Sequence, residues 1–212
     1  MLRPDGQFSE ADVRERAGRL RPTAPDVTRF SDDDLNPAAA MIAPGQTPRP
    51  AAVLVPLVLR RPELTVLLTR RTAQMSKHAG QVAFPGGRLD GDETAVAAAL
   101  REAEEETGLT AGFVEPLGFL DAYHTVTNYF VTPVVALVRE GFTITPHAGE
   151  VDEVFEVPLR FLMTPANHQQ HSRDWNGKTR YYYAMPYDRH YIWGATAGML
   201  RALYLRLYGD GA

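Results

Sequence analysis

Residues 93–107, ETAVAAALREAEEET, are helical in composition and stop at Gly108, a favourable residue just past a helix end. At about 100° per residue, Glu105 falls near −60° and Glu106 near +40° from Glu102, so three carboxylates crowd one face. Val96, Leu100 and Ala103 gather on a different side, where they can pack on a sheet. Toward the N-terminus the carboxylate face meets Ala95, Ala98 and Ala99, whose small side chains are expected to leave room for phosphate and metal. Arg101 borders the carboxylates and can orient one of them as an ion pair. Asp90 and Glu93 have the spacing of a capping box. Like charges at this spacing repel by a few tenths of a kcal/mol per pair on an exposed helix. A hard divalent cation reverses that sign, because magnesium and manganese prefer carboxylate oxygens. A bare EAEEE run is more often a solvated acidic face, so its neighbours decide the matter.

Those neighbours are strand-like. AAVLVPLVLR from residue 51 and LTVLLT from 64 are apolar runs separated by Arg61, Pro62 and Glu63. Pro56 suggests an edge position or a bulge in the first. Residues 82–84, GFVEPLGFL from 112, YFVTPVVALV from 129 and VDEVFEVPL from 151 supply further strands, the last followed by a short helical turn. Asn176-Gly177 marks a hairpin. A final helix from about Thr196 to Tyr208 buries Met199, Leu203 and Leu207. Near the start, Ser9 caps a helix over 9–20, with Phe8 and Val13 as a staple. Mixed strands with helices early, mid-chain and late predict an α+β or layered α/β/α chain: a mixed sheet between helices. Residues 21–50, rich in proline and carrying Asp32, Asp33 and Asp34, read as an irregular arm wrapped on the domain or, equally, as a partly disordered leader. The expected division is therefore an N-terminal helix and arm over 1–50 and a domain over 51–212.

Composition removes several function classes. The 212 residues include no cysteine, which excludes a disulfide framework, zinc-thiolate and iron–sulfur sites, and a cysteine nucleophile. With 22 basic and 26 acidic residues the net charge is −4, against a general nucleic-acid or membrane-surface binder. No apolar run approaches the roughly 18 residues of a membrane span, and the first residues hold no apolar signal core, so the expected compartment is the cytoplasm. Apart from His168-x2-His171 beside the hairpin, the histidines at 124, 147, 168, 171 and 190 show no ligand spacing, and they read as surface residues. The late cluster of tyrosines and Trp193 reads as packing before it reads as a stacking site. A Walker A or G-x-G-x-x-G pattern is absent, so Gly86-Gly87 is no Rossmann loop.

The segment GRLDGDETAVAAALREAEEETGL, residues 87–109, resembles the signature of Nudix hydrolases, G-x5-E-x7-R-E-U-x-E-E-x-G-U with U apolar. Gly87, Glu93, Arg101, Glu102, Ala103, Glu105, Glu106, Gly108 and Leu109 fill every defined position. A chance match in such a chain is below roughly one in 10⁶. The resemblance implies a Nudix fold and an enzyme that hydrolyses a diphosphate linked to another moiety. It implies Mg2+ or Mn2+ held by Glu102, Glu105 and Glu106, with Arg101 and the pair Glu105 and Glu106 in the catalytic set.

LLTRRTAQMSKHAGQVAFPGG, residues 67–87, resembles the motif of the coenzyme A pyrophosphatase branch of that family. Leu67, Leu68, Thr69, Arg71, Gly80, Phe84, Pro85, Gly86 and Gly87 match in spacing, whereas Thr72 and Ser76 depart from it. Ser76 stands where the branch has arginine, and Lys77 and His78 adjoin it. Arg70, Arg71, Lys77 and His78 offer donors to a polyanion that a −4 chain would otherwise repel, and with Gly86 and Gly87 they form the expected substrate loop. In related enzymes a carboxylate outside the signature helix serves as general base; Glu150 is the candidate, with Glu153 behind it. The resulting expectation is hydrolysis of coenzyme A or its thioesters to 3′,5′-ADP and (acyl-)4′-phosphopantetheine. A Nudix enzyme for ADP-ribose or a dinucleotide, and a non-catalytic Nudix-fold binding module, are the alternatives. The expected partner is a small-molecule diphosphate, with no nucleic acid and no membrane. A homodimer is left open.

Overall fold

The structure is a computed structural model and describes residues 6–42, 45–73, 79–175 and 177–209. In chain order its elements are α1 (Glu10–Ala17), β1 (Thr28–Ser31), β2 (Arg49–Val58), β3 (Thr65–Arg71), β4 (Val82–Ala83) and β5 (Gly86–Arg88). There follow α2 (Ala95–Thr107), β6 (Val114–Phe119), β7 (Ala122–His124), β8 (Tyr129–Val138), β9 (Val151–Pro158) and α3 (Leu159–Leu162). The chain closes with β10 (Gln169–Trp175), β11 (Lys178–Tyr187), β12 (His190–Trp193) and α4 (Ala195–Leu207).

The apolar runs alternate sides, as strands must. Leu54 and Val58 of β2, Leu67 of β3 and Val134, Ala136 and Val138 of β8 face α2 in one core layer. Their neighbours Val55, Leu57, Val66, Leu68, Val135 and Leu137 face the opposite way, toward α1, α3 and α4. The result is a mixed sheet with helices on both faces, an α+β arrangement. Its main path runs β1-β7-β8-β2-β3-β4, with β5 on β2, β6 on β8 and β9 on β3. The central β2–β8 pair is parallel over the full length of both strands. Met199, Leu203 and Leu207 are buried as the spacing predicts.

Pro56 is not at an edge. It lies in an interior strand, between the pairing of Val53 with Gly86 and that of Leu57 with Val66. Leu54, two residues earlier, sends its N–H to Pro85 on that same side. The N–H that proline lacks thus falls in a gap of the ladder, where it costs little.

β10, β11 and β12 form a separate antiparallel sheet, and Trp175 pairs with Lys178 at the expected hairpin. Asn176 itself lies outside the described residues. The arm holds more order than its composition suggests. Thr28–Ser31 pairs in parallel with β7. The Asp33 carboxylate accepts from Arg180 Nη2 at 2.7 Å. The Asn36 side chain bonds both main-chain groups of Tyr181, accepting its N–H at 2.8 Å and donating to its carbonyl at 2.9 Å. Those groups lie on the edge of β11 facing away from β10, where β12 pairs only from residue 184 onward. Among the described residues no helix is long and apolar enough to cross a membrane.

Candidate active site

Helix α2 begins at Thr94, whose hydroxyl accepts from Ala97 N, and ends at Gly108 with φ 77°. The D-x-x-E pair therefore does not cap it. Asp90 N donates to Glu93 Oε2 at 3.2 Å in a turn that precedes the cap, and Thr94, four residues nearer the helix than Asp90, takes the cap position. The alanines also differ from expectation. Ala98 and Ala99 are fully buried and Ala95 nearly so, packed with β2 and β8, and leave no room for a ligand. Small side chains let the helix backbone approach the sheet closely. That approach carries Glu106, on the same arc as Ala99, to 3% exposure.

Glu106 meets two groups from the neighbouring strands. Gly86 N donates to its Oε2 at 3.2 Å, and Arg71 Nη1 lies 3.5 Å from its Oε1. Burial pushes its pKa up to about 7, opposed by Arg71 and the Gly86 amide and reinforced by the charges of Glu102 and Glu150. Glu102 is raised too, chiefly by burial, against the pull of Arg101. The two glycines act by absence of a side chain. A Cβ on Gly86 would sit 2.4 Å from Ala52 O, and one on Gly87 would sit 2.2 Å from Glu102 Oε1.

Arg101 joins more groups than the single ion pair expected. Its Nε and Nη2 grip both oxygens of Glu93 at 3.1 and 3.0 Å. Its Nη1 donates to Glu102 at 2.9 Å and Glu105 at 3.2 Å, and Nη2 also reaches Arg88 O. This fork holds Glu93 below the ordinary carboxylate range. Glu105, with 60% of its side chain exposed, is the outlying member of the acidic set.

Glu150 arrives on a loop hung from the end of α2. Thr145 N donates to Thr107 O at 2.8 Å and His147 N to Glu106 O at 3.0 Å, using carbonyls that a helix end leaves without partners. Thr72 N then donates to Glu150 O at 2.9 Å. The Glu150 charge reaches both Glu102 and Glu106. Gly108 is the one residue whose identity hints at this suspension, because a Cβ there would lie 3.1 Å from Thr145. Glu153 is otherwise engaged, bonded by Arg189, 3.2 Å from Arg70 and 3.3 Å from His190. Arg70 also pairs with Asp152 at 2.7 Å. Of the four basic residues expected on the substrate loop, Arg71 is the one placed against α2; Lys77 and His78 lie outside the described residues. His190 is not a surface residue: it is 8% exposed and stacked on Phe155 at 3.6 Å.

The donor set suits a hard divalent cation. It offers carboxylate oxygens, two of its members are withdrawn from water, and the charge of Glu105 raises the pKa of Glu102 as that of Glu102 raises Glu106. Among the described residues no three acidic or histidine side chains already converge on one point. Arg101 bonds Glu102 Oε1 and Glu105 Oε2, and the other oxygen of each makes no hydrogen bond to a described residue.

A model of the NUDIX domain matches residues 48–179. NudL, an uncharacterized Nudix hydrolase of Escherichia coli (strain K12), is 42% identical over 160 residues, covering 75% of this chain and 83% of that one. The NudL of the O1:K1 / APEC strain is 41% identical over the same coverage. Among solved structures, the Nudix hydrolase RenU of M. smegmatis aligns at TM-score 0.46 and 27% identity, covering 53% of this chain and 71% of its own. An Ap4A hydrolase of C. elegans aligns at TM-score 0.46 and 20% identity, covering 52% and 80%.

Proposed function

The chain belongs to the Nudix family, whose members hydrolyse a pyrophosphate bond in small-molecule diphosphates, and on that premise we propose coenzyme A or its thioesters as the substrate. The products are 3′,5′-ADP and (acyl-)4′-phosphopantetheine. One observation supports this choice. The run from Leu67 to Gly87, which resembles the coenzyme A branch, supplies the groups that touch the buried carboxylate: Arg71 at 3.5 Å and the Gly86 amide at 3.2 Å. Substrate-selecting residues and catalytic residues then share one wall.

In this reading Glu102, Glu105 and Glu106 hold Mg2+ or Mn2+. The cation supplies positive charge to the diphosphate and makes water easier to deprotonate. Glu150 takes the proton from the attacking water, since its carboxylate makes no hydrogen bond to a described residue and lies within electrostatic reach of the buried pair. Arg71 turns from Glu106 to the phosphate oxygens and offsets the charge that grows there. Arg101 positions Glu102 and Glu105 and touches no substrate. Residues 1–50 form an arm on a catalytic domain of residues 51–212.

Turnover of free coenzyme A, ADP-ribose and NADH, each with Mg2+ and with Mn2+, tests the proposal. The expected result is the highest kcat/KM for coenzyme A. A preference for ADP-ribose or NADH overturns the substrate, and no turnover of any diphosphate overturns the enzymatic reading.

A further inference from the structure

At one end of the main sheet β2 starts at Arg49 and β8 at Tyr129, paired in parallel register. β5 ends there at Arg88 and β3 at Arg71, both antiparallel to β2. Arg71 meets the buried carboxylate. Arg88 lies two residues past Gly86, whose amide donates to Glu106, and its carbonyl accepts from Arg101. The side chains of Arg49 and Arg88 touch none of those acids. Arg88 pairs with Ala51, which belongs to the core layer opposite α2. Directly paired residues share a face, so the Arg88 side chain leaves the sheet away from the carboxylates, at its rim.

Both guanidiniums converge on one ring. Arg49 Cζ lies 4.1 Å from the Tyr129 centroid and Arg88 Cζ 5.6 Å from it. Arg88 Nε donates to the Tyr129 hydroxyl at 3.0 Å, and Arg49 Nη2 donates to Thr127 O at 3.0 Å. Each guanidinium is thus fixed at one nitrogen, which leaves both Nη groups of Arg88 and the Nε and Nη1 of Arg49 to donate elsewhere. Neither has a carboxylate partner among the described residues. The acids on adjoining segments are engaged: Asp90 faces Arg101 at 3.8 Å, Glu93 is gripped by the same arginine, and Asp32 accepts from Tyr123 and Val126 N. Two cations held on one tyrosine repel each other, and attraction to the ring offsets only part of that. An anion shared by both reverses the sign. A phosphate monoester suits them, since it is close to doubly charged near neutral pH and offers three terminal oxygens to two planar forks.

We propose that Arg49 and Arg88, positioned by Tyr129, form a subsite for a terminal phosphate monoester of the substrate, distinct from the diphosphate that is cleaved. The assignment rests on the coenzyme A reading, in which this group is the 3′-phosphate. ADP-ribose and NADH carry no such group, so the subsite is what selects against them.

Calorimetric titration of the full chain in Mg2+ with 3′,5′-ADP and with adenosine 5′-monophosphate tests the subsite without turnover, because the two probes differ only in the 3′-phosphate. The wild type should bind 3′,5′-ADP roughly tenfold tighter or more, the scale of a charge-assisted contact. Arg49→Gln and Arg88→Gln should each reduce that preference. The double variant should bind the two nucleotides alike, with its affinity for the monophosphate unchanged. Initial rates supply the link to the substrate: in the double variant KM for coenzyme A should rise to that of dephospho-coenzyme A, while kcat holds within about twofold. Equal binding of the two nucleotides by the wild type overturns the subsite. So does a preference that survives in the double variant, or an equal loss of affinity for both probes. A lower Tm with the preference intact would show that the arginines only cover Tyr129. If the preference is present and falls as expected but coenzyme A is not turned over, the subsite stands and the coenzyme A reading falls.

Discussion

Burying the Glu106 carboxylate costs more than Arg71 and the Gly86 amide return, so its pKa stands at about 7 against an ordinary 4.5. Between those values the native protein keeps a proton that the unfolded chain has already lost. In the metal-free protein this contribution to stability is full at low pH and declines as pH rises from 4.5 through about 7. Glu106→Gln removes the dependence. With chelator present it should melt higher than the wild type at about pH 8, by up to the order of 3 kcal/mol, and show no gain near pH 5. Thermal melts at the two pH values check this, while kcat of the same variant should fall roughly a hundredfold or more. The adjacent glycines separate stability from activity. Gly86→Ala drives a methyl into the main chain of Ala52 and Val53 and should cost about 1–3 kcal/mol. Gly87→Ala meets only the end of the Glu102 side chain, so its Tm should hold while kcat drops. Equal melting temperatures for the two variants would contradict this division.

At the scale of elements, α2 was legible because its period, its closing Gly108 and its spaced carboxylates all point the same way. What pitch leaves undetermined is the arc the sheet covers. Ala98 and Ala99 therefore looked like clearance beside the carboxylates and are core, and Glu106 is buried where Glu105 is exposed. The loop before β9 was legible only in its acid. Its suspension from the last carbonyls of α2 depends on main-chain geometry that carries no residue signature. That suspension brings the charge of Glu150 to bear on Glu102 and Glu106, which supports the proposal of Glu150 as the base. Glu150→Gln should keep metal affinity, lose most of kcat and erase the acidic limb of the pH–rate profile. Calorimetry with Mn2+ and a pH series of initial rates check both halves. Activity retained in Glu150→Gln and lost in Glu153→Gln would move the base to the residue that now pairs with Arg189.

For the whole molecule, the arm is where sequence reading falls furthest short. Proline and an acidic run predict irregular chain, and neither reveals that each aspartate has assigned donors: Tyr123 and Val126 for Asp32, Arg180 for Asp33, Ser31 for Asp34. Partners this distant in sequence are set by tertiary contact. Asn36 is the sharpest case, a buried amide serving two main-chain groups of Tyr181. Asn36→Ala leaves both unpaired and should cost about 1–3 kcal/mol for each group that water does not reach. Urea unfolding measures it, and an unchanged midpoint would mean that the arm docks without those bonds.

That pair of bonds has a further consequence, for colloidal behaviour. Beyond β12, the outer margin of β11 is a strand edge with its own sheet on one side only, and such edges template the addition of strands from other molecules. Asn36 occupies the place an intruding strand would take. A chain lacking residues 1–42 should therefore self-associate with rising concentration, visible as earlier elution in gel filtration. Replacing Tyr181 by proline in that shortened chain removes the edge donor and should return it to the size of a single shortened chain.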